Sequence, residues 1–179
     1  MIYTANYPSP VGDILLAAEA DALIGLWLPK HRYFLGRVKG ERIEKPDYPV
    51  LVQTKKWLDR YFAGHEPKPE ELKLNPLGSH FQKAVCDIMC RIPYGGLTTY
   101  GTIAKEMAQL MGKERMSAQA VGGAVGHNTI SIIIPCHRVV GATGSLTGYG
   151  GGLDNKIWLL KHEGVDMSGL FRPKKTTAP

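Results

Sequence analysis

The sequence predicts an α/β amino-terminal domain followed by a mostly α-helical carboxy-terminal domain. Three observations predict it: short strand-like runs at the start of the chain, a connector rich in Pro, Glu and Lys at residues 65–77, and a series of helical segments after it. A chain of 179 residues with 44% hydrophobic content can form one large core or two small ones. We place the boundary near Gly78, which gives domains 1–78 and 79–170 and a basic tail, 171–179.

The amino-terminal domain begins with three predicted strands, at residues 2–7, 13–19 and 22–28. The turns between them are short and contain proline, glycine or aspartate, so we expect the strands to pair as a small antiparallel sheet. Residues 49–63 carry apolar side chains at helical spacing and are followed by Gly64. This pattern predicts a helix that covers one face of the sheet.

The carboxy-terminal domain begins with a capping-box pattern. Ser79 and Gln82 are spaced so that each side chain can satisfy a free backbone N–H at the start of a helix, which we expect to end at Pro93. A second helix is predicted from about residue 99 to 112 and a third from 117 to 125. Two short helices joined by a tight turn are typical of a helix-turn-helix, whose second helix enters a groove of DNA.

The predicted third helix has very small side chains, and it includes Gly122 and Gly123. A glycine inside a helix costs about 1 kcal/mol relative to alanine, so the pair needs an explanation. Either the helix packs closely against another helix, or its surface lies close to a bulky ligand such as a nucleic-acid groove. The sequence alone leaves both interpretations open.

Positive charge is concentrated in the second half of the chain. The net charge is +6. Residues 1–78 contain 11 Lys and Arg against 10 Asp and Glu, whereas residues 79–179 contain 11 against 6. A positive field of this kind attracts polyanions without sequence-specific contacts, so a nucleic acid is a candidate partner of the second half.

The chain contains three cysteines, Cys86, Cys90 and Cys136, too few for a disulfide framework. Cys86 and Cys90 lie four residues apart among apolar neighbours, so we interpret them as packing residues and expect no metal site and no cofactor. The first ten residues do not resemble a secretory signal, and no run approaches the roughly 18 apolar residues of a membrane span. We therefore expect a cytoplasmic protein.

The candidate reactive centre is Cys136. The β-branched run at residues 132–134 predicts a buried strand that leads directly to this thiol. The thiolate is the nucleophilic form of cysteine, and His137 is the nearest candidate base. Because successive residues of an extended chain point to opposite sides, contact between them requires a local turn or a bridging water. Glu163 is a candidate carboxylate to orient the imidazole.

These residues resemble the O6-alkylguanine-DNA alkyltransferases, also called methylated-DNA–protein-cysteine methyltransferases. The resemblance covers residues 79–164, whereas the first half is similar only at residues 25–28. It implies an amino-terminal domain of RNase H-like shape and a winged helix-turn-helix in the carboxy-terminal domain. It rests on Pro135-Cys136-His137-Arg138-Val139-Val140, Ala120-Val121-Gly122-Gly123-Ala124, Asn128, Gly148-Tyr149, Gly151-Gly152, Lys156 and Trp158-Leu159-Leu160.

The resemblance assigns catalytic roles to four residues. Cys136 corresponds to the alkyl acceptor, His137 to a base that acts through water, and Glu163 to the carboxylate that orients the histidine. Asn128 corresponds to a buried asparagine that braces the turn carrying the thiol. The implied reaction moves an alkyl group irreversibly from O6 of guanine to the cysteine, once per molecule, with O4-alkylthymine as an open second substrate.

The resemblance also assigns binding roles. Tyr100 corresponds to a tyrosine that crowds the phosphate beside the target nucleotide and helps to turn it out of the duplex, and Tyr149 to one that donates a hydrogen bond to the leaving base. The expected substrate-binding residues are Tyr100, Val139, Tyr149, Gly150 and Lys156. The expected DNA-binding residues are Thr99, Gln119, Ala120, Gly122, Gly123 and Arg138.

Two positions depart from the family pattern. Gln119 stands where relatives usually have an arginine that fills the gap left by the extruded base, so we expect weaker DNA binding or flipping. Gly150 stands where a serine is frequent, which removes one hydroxyl donor.

The implied partner is double-stranded DNA carrying O6-alkylguanine, bound by a monomer with no obligate protein partner. A sensor of alkylated bases that performs no repair is one alternative, although such relatives lack the reactive cysteine and Cys136 is present. A hydrolase that uses the Cys136–His137 pair on an acyl substrate is the other. It would turn over many times, so the stoichiometry of the reaction separates it from the alkyltransferases.

Overall fold

The structure is a computed structural model that describes residues 1–174 of the chain. Its described part contains six strands and five α-helices, joined by turns and two short 3₁₀ helices. The strands are β1 (Ile2–Ser9), β2 (Gly12–Glu19), β3 (Ala22–Trp27), β4 (Arg42–Glu44), β5 (Thr98–Thr99) and β6 (Val139–Val140). The helices are α1 (Pro49–Phe62), α2 (His80–Cys90), α3 (Tyr100–Leu110), α4 (Ala118–Gly126) and α5 (Leu153–His162), and the 3₁₀ helices are Pro69–Glu71 and Cys136–Arg138.

The amino-terminal half is a four-stranded sheet covered by α1. Its strand order is β3-β2-β1-β4, and β1–β2 and β2–β3 pair antiparallel, as the three predicted strands require. The fourth strand, β4, was not predicted and pairs parallel to β1, so the sheet is mixed. Its three residues are all exposed, so the sequence has no apolar alternation there to indicate a strand. The predicted helix over the sheet is confirmed as α1, with Leu51, Trp57, Leu58 and Tyr61 buried.

The carboxy-terminal half contains the predicted helices. The Ser79 hydroxyl accepts the backbone N–H of Gln82, and the Gln82 side chain accepts that of Ser79, so the capping box at the start of α2 is confirmed. The helices α3 and α4 form the predicted pair that follows it. Strands β5 and β6 pair parallel and connect the start of α3 to the segment after Cys136.

The surface of α4 decides between the two interpretations of its glycines. Val121, Ala124 and Val125 are buried on one side of the helix. A Cβ added at Gly123 would meet no heavy atom of residues 1–174 within 4 Å, and one at Gly122 would meet only the Tyr100 ring, at 3.9 Å. Close packing within the chain therefore does not require these two glycines. The open face that they share is available to a ligand.

The two halves share a buried core, and the edge of the sheet supports the segment before Cys136. Leu26 of β3 accepts the backbone N–H of Ser131 and donates its own to Thr129, at 3.0 and 2.8 Å. The Thr129 hydroxyl also donates to the carbonyl of Ile24, at 2.9 Å. Because β3 is the edge strand on this side, these bonds extend the sheet toward the turn that carries the thiol.

The chain after α5 begins to fold back on the loop between β6 and α5. Backbone bonds join Phe171 to Gly144 and Leu146. Of the predicted basic tail, residues 175–179 lie outside the described residues. Between residues 1 and 174 there is no helix with the length and apolar character needed to cross a membrane.

Candidate active site

Cys136 follows a turn that is held together by Asn128. The Asn128 amide nitrogen donates to the carbonyls of Ile130 and Ile134, and its oxygen accepts the N–H of Ile130. The predicted strand at residues 132–134 is therefore wrong: the segment is a tight buried turn in which Ile132 has a φ of 69°. β-branched residues rarely adopt positive φ, so the asparagine bonds and the surrounding core must stabilise this backbone.

The Cys136 thiol is buried at the start of the 3₁₀ helix Cys136–Arg138, with 4% of the residue exposed. Burial raises the pKa of the thiol above its ordinary value, because a thiolate loses hydration in the interior. The Asn128 amide, which donates to Sγ at 3.2 Å, and the Lys156 ammonium partly offset this effect. The resting sulfur is therefore a neutral thiol, and it must lose its proton to become a nucleophile.

His137 is oriented for that proton transfer by Glu163. The imidazole Nε2 lies 2.6 Å from Oε1 of Glu163, and both side chains are fully buried. Burial lowers the pKa of His137 and outweighs the opposing effect of Glu163, so the ring is neutral at neutral pH. Since Nε2 carries the proton shared with the carboxylate, the lone pair is on Nδ1, which has no hydrogen-bond partner among residues 1–174.

Glu163 lies just after the last turn of α5 and accepts hydrogen bonds from three side chains. Besides His137, Arg138 donates from Nε to Oε2 at 2.8 Å and from a terminal nitrogen to Oε1 at 2.9 Å. The Tyr61 hydroxyl of α1 donates to Oε1 at 2.8 Å. Burial raises the pKa of Glu163, but the pairing with His137 and Arg138 dominates and holds the pKa well below its ordinary value. The carboxylate is therefore ionised throughout the working range.

The placement of Arg138 corrects its assignment to the DNA-binding surface. The residue is 7% exposed, and its guanidinium is occupied by Glu163 and by the carbonyl of Ile92, at 2.6 Å. The 3₁₀ turn after Cys136 directs this side chain into the protein. The residue supplies the buried countercharge of the carboxylate and is not available to a phosphate.

Lys156 and Tyr100 hold the loop between β6 and α5 in place. The buried Lys156 ammonium donates to the carbonyls of Val139 and Thr147, at 2.6 and 3.0 Å. The Tyr100 hydroxyl donates to the same Thr147 carbonyl at 2.8 Å. Burial lowers the pKa of Lys156 to about 8, against the opposing effect of Cys136. Both side chains were expected to bind the substrate, and in the structure both brace the loop between β6 and α5. The Tyr100 ring is buried and does not extend into solvent.

Tyr149 and Gly150 lie in the same loop, and Tyr149 faces the reactive pair. The Tyr149 ring lies edge-on to His137, with centroids 6.5 Å apart. Burial raises the pKa of Tyr149 well above its ordinary value, so the phenol keeps its proton. The Ser131 side chain partly offsets this effect, although among residues 1–174 neither hydroxyl has a hydrogen-bond partner of normal geometry. Tyr149 is therefore a buried donor whose proton is not committed to a close partner.

The structure explains the glycine at position 150. A Cβ there would lie 2.8 Å from Nε2 of His31 and 3.1 Å from the carbonyl oxygen of Gly126. The Gly150 carbonyl also accepts the backbone N–H of Arg32, at 3.0 Å. His31, from the amino-terminal half, therefore occupies the space that a serine side chain would need. Nothing in the sequence indicated this role of His31.

The residues expected to bind DNA, apart from Arg138, lie around the starts of α3 and α4. Thr99 is half-buried and caps α3 by accepting the N–H of Thr102, at 3.1 Å. Gln119 and Ala120 are exposed in the first turn of α4, where their backbone N–H groups donate to the Ser117 hydroxyl. Gly122 and Gly123 continue along the same open face. The structure thus brings the small residues together on one accessible surface.

The sequence is similar to known families and proteins over nearly its whole length. A family profile described as 6-O-methylguanine DNA methyltransferase, DNA binding domain, matches residues 80–165, and one described as the ribonuclease-like domain of the same proteins matches residues 2–76. A methylated-DNA–protein-cysteine methyltransferase of Methanosarcina acetivorans is 43% identical over 169 residues, which are 91% of this chain and 99% of the relative.

Solved structures of similar proteins have the same fold as this chain. The structure of Mycobacterium tuberculosis OGT in complex with DNA superimposes with a TM-score of 0.76 at 35% identity, covering 90% of this chain and 93% of that one. An O6-methylguanine DNA methyltransferase from Methanococcus jannaschii superimposes with a TM-score of 0.62 at 30% identity, covering 96% and 99%. The fold, with its ribonuclease-like and DNA-binding domains, and the sequence similarity lead to one assignment. This chain belongs to the 6-O-methylguanine DNA methyltransferase family.

Proposed function

We propose that this protein repairs DNA by moving an alkyl group from O6 of guanine onto Sγ of Cys136, once per molecule. The observation that carries the proposal is the buried thiol followed directly by a neutral imidazole, whose Nε2 is fixed by Glu163 and whose Nδ1 is unpaired among the described residues. The relatives named methylated-DNA–protein-cysteine methyltransferases support the same reaction.

The proposed step begins with removal of the thiol proton. Nδ1 of His137 takes the Cys136 proton through a bridging water, and Glu163 stabilises the imidazolium that forms. The thiolate attacks the alkyl carbon in line with the bond to O6. A carbon–sulfur bond forms, the carbon–oxygen bond breaks, and its electrons pass to guanine, which takes up a proton. The thioether product has no route back to a thiol.

Two further groups support this displacement. The Lys156 ammonium favours the thiolate electrostatically. The Tyr149 hydroxyl has its proton free to donate to the base as negative charge develops on it. In this proposal Val139, Gly150 and Tyr100 border the guanine pocket. Gly150 lies in the loop between β6 and α5, the Tyr100 hydroxyl is bonded to that loop, and the carbonyl of Val139 accepts from Lys156, which also holds the loop.

DNA binding is assigned to the open face of α4. An alkyl group on O6 cannot be reached inside a stacked duplex, so the nucleotide must be extruded, at a cost of a few kcal/mol. A helix start without bulky side chains can approach a groove closely, and the positive end of the helix dipole favours phosphate. Thr99, Gln119, Ala120, Gly122 and Gly123 are the residues that we propose to contact the duplex.

Stoichiometry tests this function. With methyl-labelled O6-methylguanine DNA in tenfold excess, we expect transfer to stop at one label per protein, because the thioether is stable. Continued release of product would instead support a Cys–His hydrolase. DNA binding without any transfer would support a sensor that performs no repair.

Gln119→Arg tests the assignment of the DNA surface. We expect the dissociation constant for duplex DNA to fall severalfold at fixed salt, and the salt slope to steepen by about one, because one more cation contacts the polyanion. Fluorescence anisotropy measures both quantities. Gln53→Arg, an exposed glutamine of α1, adds the same charge elsewhere and is the matched control. Equal effects of the two variants would contradict the assignment.

We also propose that the protein is a cytoplasmic monomer divided into domains 1–78 and 79–170. Support for the location comes from the repair function of its relatives. Support for the division comes from the change from a sheet to a helical arrangement near Gly78.

A further inference from the structure

Tyr61 is the one residue of the amino-terminal half whose side chain the structure shows bonded to the Cys136–His137–Glu163 relay. It lies in the last turn of α1 and is 1% exposed. Its hydroxyl donates to Oε1 of Glu163 at 2.8 Å, across 102 residues of sequence. Oε1 is also the oxygen that contacts Nε2 of His137. The tyrosine and the histidine thus share one carboxylate oxygen.

We propose that Tyr61 is a positioning residue for alkyl transfer. Its hydroxyl holds the Glu163 carboxylate against His137 and withdraws negative charge from the oxygen that the imidazole contacts. The proposal rests on the function proposed above. A carboxylate oxygen that accepts a further hydrogen bond is a weaker acceptor toward each donor. Tyr61 therefore makes His137 less basic than Glu163 alone would make it.

The surroundings of Tyr61 fix its hydroxyl in this role. Its ring stacks on Trp57 and meets Tyr94 edge-on. Its carbonyl accepts from Nε2 of His162, the residue before Glu163, at 2.8 Å. Tyr61 thus bonds to His162 through its backbone and to Glu163 through its side chain, and these two residues are successive at the end of α5. Burial raises the pKa of Tyr61 well above its ordinary value, so the hydroxyl remains a donor over the whole working range.

Other charges also act on this pair and remain in place when only the Tyr61 hydroxyl is removed. Arg138 donates to both oxygens of Glu163. Lys156 lowers the pKa of His137 and Tyr149 faces its ring. The titratable and charged groups around the pair are Cys136, Arg138, Tyr149 and Lys156 on the carboxy-terminal side and Tyr61, Tyr94 and His162 at the junction with α1.

The test is Tyr61→Phe, which keeps the ring and removes the hydroxyl. Single-turnover transfer from O6-methylguanine DNA is measured against pH, and the titration of His137 is followed in the free protein by ¹⁵N chemical shifts of its ring. We expect both the acid limb of the rate profile and the His137 titration to move to higher pH by about half a unit or more, because removal of the donor leaves more negative charge on the oxygen that the imidazole contacts.

Tyr48→Phe is the matched control. It removes a hydroxyl at the opposite end of the same helix, where Tyr48 donates to the carbonyl of Ala20. We expect no shift in either titration for this variant. A Tyr61→Phe protein with a lower melting temperature but unchanged titrations would overturn the proposal, and so would an equal shift in both variants. Absence of transfer in the unsubstituted protein would overturn the proposed function, while the ¹⁵N titration would still test Tyr61.

Discussion

Replacement of Cys136 by alanine abolishes alkyl transfer, because no sulfur remains at that position to accept the alkyl group. It leaves the affinity for undamaged duplex DNA within about twofold of its original value, because non-specific binding comes from the groove-contacting surface and not from the thiol. The thiol is 4% exposed and lies on the turn braced by Asn128, whereas the open face of α4 carries the proposed DNA contacts. Asn128 keeps its two carbonyl acceptors in the variant, so the turn is retained.

Transfer is measured with labelled DNA and binding by fluorescence anisotropy. Cys90→Ala is the control, because this half-buried cysteine ends α2 and burial raises its pKa to about 11, so it is an inert thiol. The control should transfer normally. Residual transfer by Cys136→Ala would show that another atom is the acceptor, and loss of its DNA binding would show that the two surfaces are not separate.

Replacement of Glu163 by glutamine has the second large effect. The amide keeps the shape of the side chain but cannot stabilise an imidazolium. We therefore expect the transfer rate at neutral pH to fall by about 10²- to 10⁴-fold, because the base His137 then loses the carboxylate that orients it and stabilises its charged form. The variant also leaves the Arg138 guanidinium buried without its countercharge. Breaking a buried pair from one side costs about 3–5 kcal/mol of the free energy of unfolding.

Chemical denaturation measures this loss. Glu106→Gln is the control, because Glu106 pairs with Arg91 on the surface, and an exposed pair contributes about 0–1 kcal/mol. Similar losses in the two variants would contradict the structural role of the buried pair. A transfer rate within twofold of the original would contradict the role of Glu163 in the reaction.

The same carboxylate makes stability depend on pH. The pKa of Glu163 is lower in the folded protein than in the unfolded chain, where it is about 4.3. Its contribution to stability is therefore complete above that value and is lost as the pH falls toward the folded pKa. Burial lowers the pKa of His137 as well, so the unfolded chain binds more protons than the folded one as soon as the pH falls below about 6.5. Both groups therefore make the free energy of unfolding decrease as the pH falls. The Glu163→Gln variant should lack the part of this decrease that occurs below about pH 4.3.

Local signals in the sequence predicted most of the secondary structure. The capping box at Ser79 and the helical spacing before Gly64 act within one or two turns of chain, and both are confirmed. The same holds for the three antiparallel strands, whose short turns leave little choice of pairing. The residues themselves made Cys136, His137 and Glu163 candidates, and the resemblance supplied their roles in alkyl transfer. The structure places Cys136 and His137 in direct succession and His137 in contact with Glu163.

Long-range contacts account for what the sequence did not reveal. Residues 132–134 have the composition of a strand, but the side-chain bonds of Asn128 impose a turn that no pattern of apolar residues indicates. Arg138 was expected at the DNA-binding surface from the resemblance, whereas the carboxylate that holds it inside the protein, Glu163, lies 25 residues away in the sequence. Tyr61 reads as one more apolar residue of α1, and only the fold brings it to the carboxylate.

The central claim is that the sulfur of Cys136 becomes covalently alkylated. Peptide mass spectrometry after incubation with O6-methylguanine DNA tests it most directly, because the three cysteines can be separated by proteolysis. We predict that one methyl group replaces the thiol hydrogen in the peptide containing Cys136, and that the peptides containing Cys86 and Cys90 keep their original masses. An unchanged Cys136 peptide in folded protein that has removed the methyl group from DNA would contradict the account.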